Sequence, residues 1–116
     1  MPGPDRVRLA LDHIAEALDD LATLTSDLDE AAFRQDRLKR RAVERCIEVF
    51  SEASHRLPDD LKEAHPEIPW RAIAGIGNVL RHDYDDIDPS VIWQTATVRA
   101  APLRLAIAAM RRSREP

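Results

Sequence analysis

Aromatic residues are scarce in this chain, with two Trp, two Phe and one Tyr making up 4% of the sequence. Sheets favour aromatic and β-branched side chains. Their shortage, beside an abundance of Ala, Leu and charged residues, argues for packed helices rather than a sheet. A single cysteine, Cys46, excludes an intrachain disulfide. It lies among apolar residues of a helical stretch and reads as a small buried hydrophobe. No apolar run approaches the ~20 residues of a membrane span, and the N-terminus lacks an apolar signal core. These absences lead us to expect a soluble, cytoplasmic protein. The formal net charge of −4 excludes a generic polycationic nucleic-acid binder. Glycine is also rare, with three in all, and two of them, Gly75 and Gly77, fall in one short segment.

What is present is helical periodicity. The 116 residues are expected to form one domain, 1–116, long enough to bury a core without staples. Acidic residues crowd the front of the chain and arginines mark its end. The first helix is expected to start near Asp5, acting as its cap after Pro4, and to end around Leu24 or Thr25. Val7, Leu11, Ile14, Leu18 and Leu21 recur at spacings of four and three and form one buried stripe. Residues 26–30 read as a turn. A long second helix follows to about Leu57, with a stripe that includes Leu38, Ala42, Val43, Cys46, Ile47, Val49, Phe50 and Ala53. Residues 30–35 can form a separate short turn, with Asp36 capping the main helix. Pro58 stops it, and residues 59–64 can add one turn. Pro69 suits the first turn of a third helix, which runs to about His82. A loop over 83–88 leads to a fourth helix opened by Pro89 and capped by Asp88, with Val91, Ile92, Trp93, Val98, Leu103, Leu105, Ile107 and Met110 as its apolar surface. Pro102 should kink this last helix. Four helices with short connections read as an antiparallel bundle.

The third helix carries the chemistry. At about 100° per residue, Trp70, Ile73, Ile76, Leu80 and Tyr84 gather on one side, the expected core side. Arg71, Asn78 and His82 gather on another. Charged helices often show such a polar face without any function. Histidine suits proton transfer because its ordinary pKa is about 6.5. His13, His55 and His65 lack metal-ligand spacing with one another or with Cys46, so no metal or cofactor is expected. The carboxylates of Asp83, Asp85, Asp86 and Asp88 read as a solvated acidic loop that opposes RNA phosphates. Arg40, Arg41 and Arg45 can offset that charge if the second helix lines a cleft, although such charges more often form an exposed helix face.

The segment Pro-Trp-Arg-Ala-Ile-Ala-Gly-Ile-Gly-Asn-Val-Leu-Arg-His-Asp-Tyr, residues 69–84, resembles the signature of the HEPN superfamily, in particular the HepT-like toxins. Asn78, His82 and Tyr84 fall in place, whereas Gly77 stands where the family has an arginine. Glu52-Ala53, the turn His65-Pro66-Glu67-Ile68-Pro69-Trp70, Trp93 and Pro102-Leu103 extend the resemblance over most of the chain. The resemblance implies an all-α, HEPN-like antiparallel four-helix bundle that forms a homodimer, bringing two sites into one cleft. It implies a metal-independent endoribonuclease acting on RNA and neutralised by a nucleotidyltransferase antitoxin, with His82 catalytic and Asn78 supporting it. It also makes Tyr84 the candidate for adenylylation by that partner. From its wheel position alone, Tyr84 is equally a half-buried aromatic closing the helix.

Gly77 has three readings. It allows another helix to approach closely, or it marks lost catalysis, or Arg81, one turn later, leans back over the vacant surface and supplies the missing guanidinium. The alternative function is a non-catalytic HEPN module that binds a nucleotidyltransferase or a nucleic acid.

Overall fold

Proline fixes its own φ and has no N–H to donate, so it starts helices readily and continues them badly. In the computed structural model, which describes residues 3–83 and 87–114, helix α1 (Pro4–Thr25) accordingly begins at the proline, with Gly3 at the N-cap. The expectation that Asp5 caps the helix is thus corrected. Asp5 lies inside the first turn, where its charge complements the helix dipole and where it pairs with Arg8 at 3.2 Å. The stripe Val7, Leu11, Ile14, Leu18 and Leu21 is buried as expected.

Two aspartates punctuate the next stretch. The Asp29 side chain accepts from the Ala32 N–H at 2.8 Å and caps α2 (Glu30–Gln35). That of Asp36 accepts from the Lys39 N–H at 3.0 Å and caps α3 (Arg37–Ser54). The short turn is therefore separate from the main helix, and it buries Phe33 completely. Helix α3 buries Val43, Ile47, Phe50 and Ala53. Leu38, assigned to that stripe, is instead 72% exposed. Five residues before Val43, it lies about 140° around the helix from it. The helix ends at Ser54, earlier than expected, but Leu57 is still buried in the turn that follows.

Helix α4 (Asp59–Glu63) is a single turn. Helix α5 (Trp70–Asp83) follows, and the Pro69 carbonyl just ahead of it accepts from the Ile73 N–H at 3.0 Å. The Trp70 indole N–H donates to the carbonyls of Lys62 and His65 at 3.0 and 3.1 Å. The His-Pro-x-x-Pro-Trp turn is thus tied back to α4 by its own tryptophan. Ile73 and Leu80 are buried, and Trp70 and Ile76 half-buried, on the expected core side.

Asp88 caps α6 (Pro89–Gln94), accepting from the Ser90 N–H at 2.9 Å. The rod continues through a π turn (Thr95–Arg99) into α7 (Ala100–Ser113). The expected interruption at Pro102 takes this form. The π turn lets the Ala100 N–H reach the Thr95 carbonyl, five residues back, and Pro102 then falls in the first turn of α7, where its missing N–H costs little. Val91, Val98 and Leu105 do not join the buried surface. They are 52%, 66% and 74% exposed, whereas Ile92, Leu103 and Ile107 are buried.

Helices α1 and α3 form a central pair, with α7 against α1, α5 against α3, and α2 bridging α3 to α6. Asp12 pairs with Arg111 at 3.1 Å and Asp19 pairs with Arg104, so α1 and α7 run antiparallel. The fold is all-α and HEPN-like. Among the described residues it consists of α1, α3, α5 and the α6–α7 rod, supplemented by the short α2 and α4. No helix among the described residues is long and apolar enough to cross a membrane.

Candidate functional site

Helix α5 meets α3 at a contact with almost no side chain on one side. Ser51, buried on α3, donates its hydroxyl to the Ala74 carbonyl at 2.9 Å and accepts from the Gly77 N–H at 3.0 Å. A Cβ at position 77 would sit 2.5 Å from the Ser51 Oγ and 2.8 Å from its Cβ. Gly77 is therefore the point of closest approach of two antiparallel helices. His55, one turn after Ser51, comes within 3.3 Å of the Ala74 carbonyl with its Nε2, while earlier residues of α3 lie beside later ones of α5.

This packing overturns the idea that Arg81 reaches across vacant surface at Gly77, because Ser51 fills that surface. Arg81 pairs instead with Glu52 of α3 at 3.6 Å, both side chains half exposed. Such exposed pairs are worth about 0–1 kcal/mol, so the Arg81 guanidinium can exchange this partner for another anion at little cost.

Asn78 and His82, one turn apart, are both exposed, as are Arg71, Gly75 and Val79. The polar face expected from the wheel is therefore present on the outer side of α5. His82 does not line the arginine-rich cavity described below. A Cβ at Gly75 would meet nothing within 4 Å, so internal packing does not account for this second glycine. Tyr84, Asp85 and Asp86 lie outside the described residues, and with them the expectations for Tyr84 and for much of the acidic loop.

Arg40, Arg41 and Arg45 of α3, open to a cleft-lining or an exposed-face reading, divide. Arg40 and Arg41, joined by Arg37, line a cavity of about 270 Å³ with Glu44, floored by Phe33 and Ile92. Burial pushes the Glu44 carboxyl above the usual carboxylate range, and the guanidiniums of Arg40 and Arg41 oppose this only in part. Arg45 points elsewhere. It pairs with Glu48 at 3.4 Å and lines a separate cavity beside Cys46. Cys46 is half-buried, and burial, aided by Asp20, pushes its thiol up and away from reactivity. Arg37 was missed in reading the sequence. The spacing of 37, 40, 41 and 44, one helical face, is the signal that groups it with the others.

A family model described as Ribonuclease HepT-like matches residues 14–110. The chain belongs to the HepT-like ribonuclease family. This HepT-like chain is 35% identical over 96 residues to "Putative RNase MJ0125" of Methanocaldococcus jannaschii, covering 83% of this chain and 82% of that protein. It is 39% identical over 85 residues to "Probable ribonuclease HepT" of Thermococcus cleftensis, covering 73% of this chain and 77% of that one. No solved structure matches it. The HepT-like match spans α3 and α5 entire, and so takes in both the Ser51–Gly77 contact and the outer face with Asn78 and His82.

Proposed function

We propose that this chain is the toxin of a prokaryotic toxin–antitoxin pair, a metal-independent endoribonuclease held in check by a nucleotidyltransferase antitoxin. The observation that carries the reading is the family match over residues 14–110, which includes an α5 whose Asn78 and His82 stand exposed on one face. In this reading His82 removes the proton from a ribose 2′-hydroxyl. The 2′-oxygen attacks the adjacent phosphorus, the bond from phosphorus to the 5′-oxygen breaks, and that oxygen leaves as a 5′-hydroxyl after taking up a proton. A 2′,3′-cyclic phosphate remains on the other fragment. Asn78 donates to a non-bridging phosphate oxygen, and Arg81, released from Glu52, neutralises the developing charge. Two copies of the chain pair so that their α5 faces share one cytoplasmic RNA-binding cleft. Adenylylation of Tyr84, two residues from His82, places a negative phosphate at the cleft and repels RNA.

Expression of the wild type should arrest growth, and His82→Ala should relieve the arrest. Co-expression with the nucleotidyltransferase should add the mass of an adenylate to the wild type and not to Tyr84→Phe. Arrest that persists in His82→Ala contradicts the catalytic assignment, and an equal mass gain in Tyr84→Phe contradicts the modification site. One observation favours a second reading, a non-catalytic HEPN module that binds a nucleotidyltransferase or a nucleic acid. The packing of Gly77 on Ser51 leaves no room for the motif arginine. A wild type that binds its partner yet neither arrests growth nor cleaves RNA is the outcome that selects it.

A further inference from the structure

The first turns of α3 carry their charge against the helix dipole. The N-terminal end of a helix is its positive end and favours acidic side chains. Helix α3 instead opens with Arg37, Lys39, Arg40 and Arg41, with no acid in its first turn. Lys39 turns away to pair with Asp27 at 3.2 Å. The three arginines face the cavity beside Glu44, and none of them forms an ion pair with a described residue. The Nε of Arg40 is buried without a hydrogen-bond partner. Three arginines against Glu44 leave the cavity lining with an excess of positive charge, which the Asp36 carboxylate at the helix N-cap offsets only in part. Arg34, at the neighbouring surface, is already engaged by Asp88 at 3.2 Å and Glu30 at 3.9 Å.

The cavity also lies at the right end of α5. The two helices run antiparallel through the Ser51–Gly77 contact, and the Glu48 carbonyl faces that same point. From that point Glu44 and then Arg40 and Arg41 lie one and two turns toward the start of α3, the direction in which an antiparallel α5 runs on to His82. Ile87 and Pro89, which follow α5, close the cavity on that side. Its volume of about 270 Å³ is below the ~300–1,000 Å³ usual for small-molecule sites, enough for a phosphate group with water rather than a whole nucleotide. Its floor offers no base a stacking surface, since Phe33 is fully buried and already packs against Trp93, with ring centroids 5.2 Å apart.

From this arrangement we infer that Arg37, Arg40 and Arg41 form a subsite for a phosphodiester group of a single RNA strand, flanking the phosphate that His82 would act on. The inference rests on the ribonuclease reading of the same region and adds to it where the strand is gripped. Arg40, whose buried Nε has no partner, presents the outer end of its guanidinium, and Arg37 and Arg41 close on the phosphate from the rim. Recognition is of the backbone and independent of base identity.

The test uses the whole chain and an uncleavable 2′-O-methyl octanucleotide, followed by fluorescence anisotropy across a salt series. Arg37→Gln and Arg41→Gln, both exposed positions, should each weaken binding about five- to tenfold and lower the salt slope by about 0.7, the contribution of one phosphate contact on a single strand. Arg40→Lys keeps the charge and loses the guanidinium, and should weaken binding while the circular dichroism spectrum stays that of the wild type. In the wild type, titration with inorganic phosphate should shift the Arg40 Nε–H resonance. If the arginine variants bind with unchanged affinity and slope while His82→Ala abolishes cleavage, the subsite is overturned and the ribonuclease reading stands. If the wild type cleaves nothing yet binding still depends on the three arginines, the subsite stands and the ribonuclease reading falls. Binding of adenosine monophosphate as tight as that of the octanucleotide would make this a mononucleotide pocket and overturn the strand assignment.

Discussion

Gly75 and Gly77 are two residues apart on one helix, and alanine should act oppositely at the two positions. In a helix interior alanine is favoured over glycine by about 1 kcal/mol. At position 75 the new Cβ meets nothing within 4 Å, so Gly75→Ala should keep that whole gain. At position 77 the new Cβ falls 2.5 Å from the Ser51 Oγ and 2.8 Å from the Ser51 Cβ. The hydroxyl can rotate aside, but that breaks the 2.9 Å bond to the Ala74 carbonyl and the 3.0 Å bond from the Gly77 N–H, each worth about 1 kcal/mol. The Ser51 Cβ cannot rotate away, so α3 and α5 must part, at the roughly 1–3 kcal/mol typical of overpacking. Set against the propensity gain, Gly77→Ala should lose on the order of 2 kcal/mol. At about 4 °C per kcal/mol for a domain of this size, that lowers Tm by about 8 °C. Urea unfolding followed by circular dichroism at 222 nm reads both variants. Ser51→Gly removes both clashing atoms but also both hydrogen bonds, so the Gly77→Ala/Ser51→Gly double variant should be more stable than the sum of the two single losses predicts. A Gly77→Ala protein as stable as the wild type, or more so, refutes the close contact. The same geometry means that Gly77→Arg should unfold the chain rather than complete a catalytic motif.

Three further outcomes follow from named contacts. Asp36→Ala removes the cap on α3 and should cost about 1 kcal/mol in the same unfolding experiment. Trp70→Phe leaves the carbonyls of Lys62 and His65 without the indole donor and should cost about 1–2 kcal/mol. The raised pKa of Glu44 comes first from burial of its charged form. The folded state therefore takes up this proton before the unfolded state does. Stability from this group rises as pH falls through the raised folded pKa, and the gain is complete below the unfolded value. Glu44→Gln should accordingly raise Tm at neutral pH, with the advantage vanishing in acid, and a Tm advantage that grows on acidification contradicts this.

Much of the fold was legible because capping and periodicity are local. Asp36 and Asp88 mark helix starts through the backbone N–H groups their side chains accept from, and the α1 stripe follows from spacing alone. Burial on the last helix was not legible. Val91, Val98 and Leu105 are as apolar as Ile92 and Leu103, and only the positions of the neighbouring helices, α2 and α3 for α6 and α1 for α7, decide which of them face inward. The π turn likewise depends on how the rod before Pro102 redistributes its hydrogen bonds, which composition does not reveal. At the site, the outward face with Asn78 and His82 followed from the 3.6-residue period. The role of Gly77 did not, because it depends on Ser51, 26 residues earlier. Of the readings open for Gly77, close helix approach is the one that the Ser51 contact supports, and that contact removes the surface over which Arg81 was expected to lean.

The central claim is that the exposed imidazole on α5 moves the proton that starts strand scission. The most direct measurement is cleavage of a single-stranded RNA in excess EDTA, with the new ends identified by mass spectrometry, for the wild type and for His82→Ala of unchanged circular dichroism spectrum. The account expects 2′,3′-cyclic phosphate and 5′-hydroxyl ends from the wild type and at least a hundredfold slower cleavage, roughly the usual worth of a general base, from His82→Ala. Equal cleavage by the two proteins, or wild-type cleavage only when a divalent metal is supplied, contradicts it.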